Sequence, residues 1–178
     1  MKELFGNTYP NPNGIIVNIN VGNACYIGDN VYLGDRTHFT ENVRIGNNAH
    51  LSYDVKIGKA SIGHSVKIGF RTNIGYNVVI GNNVVIGNNV VICNGVVIGN
   101  DVVIGDDVVI GNEAWINDNV TIEYGTKIDH STWIDSNCLI GSESIIGSYC
   151  DIGREVTFGP MSKIKDFTEV EPKSILNM

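Results

Sequence analysis

Two of the four histidines in this 178-residue chain share one local setting. Ile62-Gly63-His64-Ser65-Val66-Lys67-Ile68-Gly69 and Ile128-Asp129-His130-Ser131-Thr132-Trp133-Ile134 each place an imidazole two residues after an aliphatic side chain. Imidazole changes charge near neutral pH, which suits it to taking up a proton from a reacting group and returning it. The charges around the two rings differ. Glu123, Asp129 and Asp135 stand near His130 and would attract a cationic group, whereas Lys56, Lys59, Lys67 and Arg71 stand near His64 and would suit a phosphate. His38 and His50 precede aliphatic residues elsewhere, and no two histidines lie close enough in sequence to suggest a shared metal. The four cysteines show neither metal spacing nor a pairing pattern and read as thiols.

A repeat must position these groups. From Val21 to Val170 an aliphatic or Phe residue recurs every sixth position: seven times from Val21 to Ile57 and nineteen times from Ile62 to Val170. A small or β-branched residue, such as Val31, Thr37, Ala49, Val84 or Ala114, lies two places before it, and Gly usually follows. Neither a strand's period of two nor a helix's 3.6 produces sixes, so the hexad is itself the structural unit. Three hexads, each a short strand plus a corner, close one triangular coil whose aliphatic and small side chains fill a narrow prism. Gly, Asn and Asp after the aliphatic residue suit the corners. The expected fold is all-β, a parallel β-helix of nearly nine coils, roughly 40 Å long at the usual strand spacing, without a long loop insertion and without a C-terminal helix. The five-residue step from Ile57 to Ile62 predicts one tightened corner around Lys59 and Ala60. Residues 1–20 are expected to form an N-terminal cap, residues 21–170 the β-helix and residues 171–178 a tail.

Met1 to Asn20 has no basic start followed by an apolar run, so it reads as neither signal peptide nor membrane span, and a cytoplasmic location is expected. The net charge of −7 is unevenly spread. Residues 72–153 hold ten acidic side chains and only Lys127 as a base. Such a surface disfavours nucleic acid, which needs a basic stripe.

Outward positions three hexads apart should stack into columns. One runs Tyr26, Arg44, Ser61, Val79, Val97, Trp115, Trp133, Asp151. The apolar run from Val79 to Trp133 is more than a monomer normally exposes, and points to self-association.

The hexad pattern resembles the left-handed parallel β-helix of the hexapeptide-repeat proteins. The two histidine segments resemble the aliphatic-x-His-acid-small-x-Ile stretch of hexapeptide acyltransferases, including sugar and nucleotide-amino-sugar acetyltransferases. That resemblance implies a coenzyme A-dependent acyltransferase in which His130 or His64 is the general base, removing a proton from an amino or hydroxyl group of a sugar acceptor. It further implies acetyl-coenzyme A as donor, its phosphates near Arg154, Lys163, Lys165 and Lys173, with corner N–H groups stabilising the oxyanion. A homotrimer through Val79, Val97, Trp115 and Trp133 would place the site between prisms, with Glu123, Asp129 and Trp133 lining the acceptor side. Ser65 and Ser131 stand where the family carries an acid, so Asp129 or Glu123 is expected to replace it. The stretch Val170-Glu171-Pro172-Lys173-Ser174-Ile175-Leu176 resembles the Val-Pro-Pro-x-Ser-Ile-Val strand of sugar acetyltransferases, without their following Gly-x-Pro-Ala. Two alternatives remain open: a non-catalytic trimeric scaffold using the Val/Trp strip, and a relative of the zinc-binding γ-class carbonic anhydrases, although no metal is expected from these histidine spacings.

Overall fold

The protein is described by a computed structural model over residues 1–4, 6 and 8–176. It is an all-β left-handed parallel β-helix of about nine turns. Successive short strands fall in turn on three parallel sheets, which form the faces of the prism. The Trp face contains Tyr26–Ile27, Arg44–Ile45, Ala60–Ile62, Val78–Ile80, Val97–Ile98, Trp115–Ile116, Trp133–Ile134, Asp151–Ile152 and Glu169–Val170. The second face runs from Tyr32–Leu33 to Ile175–Leu176, and the third from Ile16–Val21 to Lys163–Ile164. Along the chain, the Trp face leads to the second face, the second to the third, and the third back to the Trp face.

Identical positions stack. Ile62 pairs with Ile80, Ile80 with Ile98, and Ile98 with Ile116. The aliphatic ladders and the small residues beside them are buried almost completely, with Phe39 and Phe158 the largest enclosed side chains. The same stacking satisfies the backbone: Gly63 N–H donates to Ile80 C=O at 2.8 Å and Gly81 N–H to Ile98 C=O at 2.8 Å. Burial and backbone bonding therefore both depend on the coil of three hexads.

The third residue of most corners adopts a left-handed conformation; Asn48, Asn83 and Asn89 show φ of 60°, 58° and 55°. Asn tolerates this region, which explains its frequency there. The glycines answer a different need, close approach between coils. A Cβ on Gly81 would lie 2.5 Å from the Gly99 carbonyl oxygen. Gly81→Ala is expected to cost about 2–3 kcal/mol by forcing coils apart and to lower Tm by roughly 5 °C, measured by thermal denaturation.

The phase break lies at Gly58 and Lys59, with Ala60 already in the next strand. One residue is lost from the corner and none from the ladder, since Lys59 C=O still accepts Asn77 N–H at 2.6 Å. At the N-terminal end Thr8–Pro10 pairs antiparallel with Ile16–Val21, and the buried Tyr9 hydroxyl donates to Val31 C=O at 2.9 Å. Among the described residues no helix is long and apolar enough to cross a membrane.

Arg36 forms a two-point ion pair with Asp54 in the next coil, at 2.6 and 2.7 Å. The hydrogen bonds from Arg36 hold the Asp54 carboxyl below its ordinary value of 3.8. A carboxyl lowered by folding stabilises the fold above its unfolded pKa, and this contribution disappears as pH falls through the folded value. The stability difference between wild type and Asp54→Asn should therefore shrink once pH drops below about 4, as followed by urea denaturation from pH 7 to 3.

Candidate functional site

The corner joining the third face to the Trp face carries Asp129, His130 and Ser131, between strands Lys127–Ile128 and Trp133–Ile134. His130 Nδ1 lies 2.9 Å from Ser148 Oγ, contributed by the same corner one coil later. Asp129 Oδ1 is 3.8 Å from the same ring nitrogen and accepts the His130 backbone N–H at 3.3 Å. In the tautomer in which Ser148 Oγ accepts from Nδ1–H, Nε2 keeps the lone pair that a base presents; in the other, the serine hydroxyl donates to Nδ1. The ring is about half exposed and makes a T-shaped contact with Tyr149, ring centres 4.9 Å apart. Ser131 occupies the left-handed corner position with φ 54°. Sequence reasoning did not single out Ser148, although it lies one full coil after His130 and the hexad count was sufficient to find it.

His64 is differently used. It lies on the edge between the Trp face and the second face, where a side chain of each coil accepts a backbone N–H from the coil before. Asn47 Oδ1 accepts from Asp29 N–H, His64 Nδ1 from Asn47 N–H at 2.8 Å, and Asn82 Oδ1 from His64 N–H at 2.8 Å. His64 thus takes the place of an Asn in a ladder that continues through Asn100 and Asp118. Accepting at Nδ1 puts the neutral ring's proton on Nε2, which then donates rather than accepts. His130 departs from the comparable ladder on its own edge: Asn94 Oδ1 accepts from Tyr76 N–H and Asn112 Oδ1 from Asn94 N–H, but the His130 ring turns to Ser148.

The other expected site residues separate. Asp129 adjoins His130, and Trp133 opens the strand that follows. Glu123 lies on the edge between the second and third faces, where its carboxylate accepts Ser142 N–H at 2.9 Å. The four cations also divide. Lys165 shares the His130 edge two coils below Asp129, and Lys163 projects from the adjoining third face in the column Lys127, Ile145, Lys163. Arg154 and Lys173 lie on the His64 edge, and Lys173 Nζ is 3.9 Å from Glu155. Arg154 attracts Asp135, whose carboxyl is held below its ordinary value chiefly by the Ser136 backbone N–H and Asn117.

The outward column of the Trp face has the register read from the sequence: Val79 pairs with Val97, Val97 with Trp115, Trp115 with Trp133 and Trp133 with Asp151. The two indoles stack at 4.8 Å and 17°, each 43% exposed. That is a large apolar area for one face to leave in water.

Cys25, Cys138 and Cys150 fill small inward positions, and burial pushes their thiols up. Cys93, in the corner column above Asp129, is partly exposed. A neutral-pH thiol reagent should label Cys93 first in the native protein and all four after denaturation, as counted by intact mass. Among the described residues no three His, Cys, Asp or Glu side chains are grouped closely enough to hold a metal ion.

These features define a left-handed β-helix with a corner imidazole oriented by the neighbouring coil. Residues 24–59 and 59–94 match the family described as bacterial transferase hexapeptide (six repeats), and residues 91–178 match the GMPPB C-terminal domain. The hexapeptide-repeat matches cover residues 24–94, and the same six-residue repeat continues beyond them to Val170. No curated protein matches it significantly. Among solved structures, the UDP-N-acetylglucosamine O-acyltransferase (LpxA) of Moraxella catarrhalis superposes with a TM-score of 0.78 at 20% identity, covering 82% of this chain and 65% of that one. The corresponding acyltransferase of Francisella novicida gives 0.49 at 23% identity, over 82% and 58%. At such identities the likeness is one of fold, and this chain spans less than two thirds of either protein's length.

Proposed function

We propose that this protein transfers an acyl group, most simply acetyl, from a coenzyme A thioester to an amino or hydroxyl group of a sugar or sugar nucleotide, with His130 as general base. The observation that carries this reading is the 2.9 Å contact between His130 Nδ1 and Ser148 Oγ, which holds the half-exposed ring by one nitrogen and leaves Nε2 without a hydrogen-bond partner among the described residues. His130 Nε2 takes the proton of the acceptor as its oxygen or nitrogen attacks the thioester carbonyl. Collapse of the tetrahedral adduct breaks the C–S bond, and the imidazolium returns the proton to the departing thiolate. Asp129 Oδ1, 3.8 Å from Nδ1, stands against the same ring nitrogen and takes the part of the acid missing at Ser131. Among the described residues Asn112 N–H has no acceptor where the His130 ring leaves the corner ladder, and it supplies an oxyanion donor on the same edge.

Lys165 on the His130 edge and Lys163 on the adjoining third face suit the donor's phosphates, whereas Arg154 and Lys173 would reach a donor only from the opposite side of the Trp face. The M. catarrhalis protein's name, a UDP-N-acetylglucosamine O-acyltransferase, supports both the reaction class and the acceptor class. We place the active form as a cytoplasmic homotrimer joined through Val79, Val97, Trp115 and Trp133, with the His130 edge bordering the contact. Calorimetry with acetyl-coenzyme A, followed by an acceptor screen read by thiol release, tests the reading. Saturable binding with acceptor-dependent release supports it, and no binding at millimolar donor overturns it. A second reading, a non-catalytic scaffold, draws on the exposed Trp face; it expects a trimer indifferent to His130.

A further inference from the structure

Below His130 on the same edge, Tyr149 and Phe167 stack at 5.1 Å with their planes 7° apart. Both rings stand largely in water, Tyr149 51% and Phe167 76% exposed, so neither serves the core. Both also occupy the left-handed corner position, with φ of 56° and 58°. Elsewhere that position carries mostly Asn, Asp, Ser, Glu or Gly, and a bulky side chain is disfavoured in this region. The corner geometry therefore gives no reason for two aromatic residues in succession, and burial gives none either. Their surroundings suit a ligand: Tyr149 touches the His130 ring, and Lys163 and Lys165, in the strand and corner that lead to Phe167, form no ion pair among the described residues.

We propose that the Tyr149–Phe167 stack is a nucleotide-binding platform, on which a purine or pyrimidine base lies against the aromatic ladder while Lys163 and Lys165 meet its 5′-phosphates. Exposed rings offer every base a π-face, and flexible cations meet phosphates as point charges. This rests on the acyltransferase reading for its biological ligand, and both the acyl donor and a sugar nucleotide contain a nucleoside diphosphate. Its test does not depend on turnover.

The full-length protein is titrated by calorimetry with adenosine 3′,5′-bisphosphate as the donor's fragment and with UDP as the acceptor's fragment. Phe167→Ala and Tyr149→Ala should each weaken binding of one fragment about tenfold or more, as expected for loss of a stacked base, while Phe167→Trp retains it. Which fragment responds assigns the stack to donor or acceptor. Unchanged affinity in both alanine variants, or no binding of either fragment to the wild type at millimolar concentration, overturns the proposal. If the fragments bind through the stack but no acyl transfer is found with any acceptor, the catalytic reading fails and the platform stands.

Discussion

Replacing His130 by alanine is expected to lower kcat for acyl transfer by about 10²- to 10⁴-fold, the usual contribution of a positioned general base, while subunit number and Tm stay near wild type. The ring is half exposed and joins no coil-to-coil backbone ladder, so its loss removes chemistry and little packing. His64→Ala should show the opposite. It deletes the acceptor of Asn47 N–H and should lower stability by about 0.5–1 kcal/mol with turnover nearly unchanged. Ser148→Ala separates orientation from folding: it should reduce kcat with little effect on KM, because the ring loses the hydrogen-bond partner that holds its orientation. Equal turnover in His130→Ala and wild type would assign the chemistry elsewhere. Purified variants, assayed by thiol release and by thermal denaturation on the same samples, give each answer.

Trp133→Glu should convert a trimer to monomers at micromolar concentration, as read by light scattering. Each indole carries about 150–250 Å² of surface, and the stacked pair lies within the apolar run that begins at Val79. Aromatic residues at the centre of an interface commonly contribute about 2 kcal/mol or more each, and a cyclic trimer contains the contact three times. The new carboxylate would also stand directly above Asp151 and Glu169 in the same column, adding repulsion along the contact. If His130 works at a subunit boundary, turnover should fall together with subunit number. A wild-type chain that is monomeric at 50 μM, a concentration of about the order needed to populate weak trimers, would remove the interface reading and leave the Trp face for another partner.

The period-six pattern was sufficient for the fold because each hexad solves the same local problem. An aliphatic and a small side chain face inward, a corner residue tolerates φ near 60°, and the backbone has no partner except the neighbouring coil. The same arithmetic placed Val79, Val97, Trp115 and Trp133 in one column, since a coil of three hexads leaves no choice of register. It was less reliable for the site. Glu123 stands close to His130 in sequence, yet one strand and one corner of a triangular prism carry it to a different edge. The two histidine segments, alike in sequence, diverge because the partner of each Nδ1 lies in another coil: a backbone N–H of Asn47 for His64, and the hydroxyl of Ser148 for His130. A repeat encodes backbone position, which is local and periodic. Ring rotation and tautomer depend on groups a whole coil away along the chain, and only the stacked coils bring those groups within hydrogen-bonding distance.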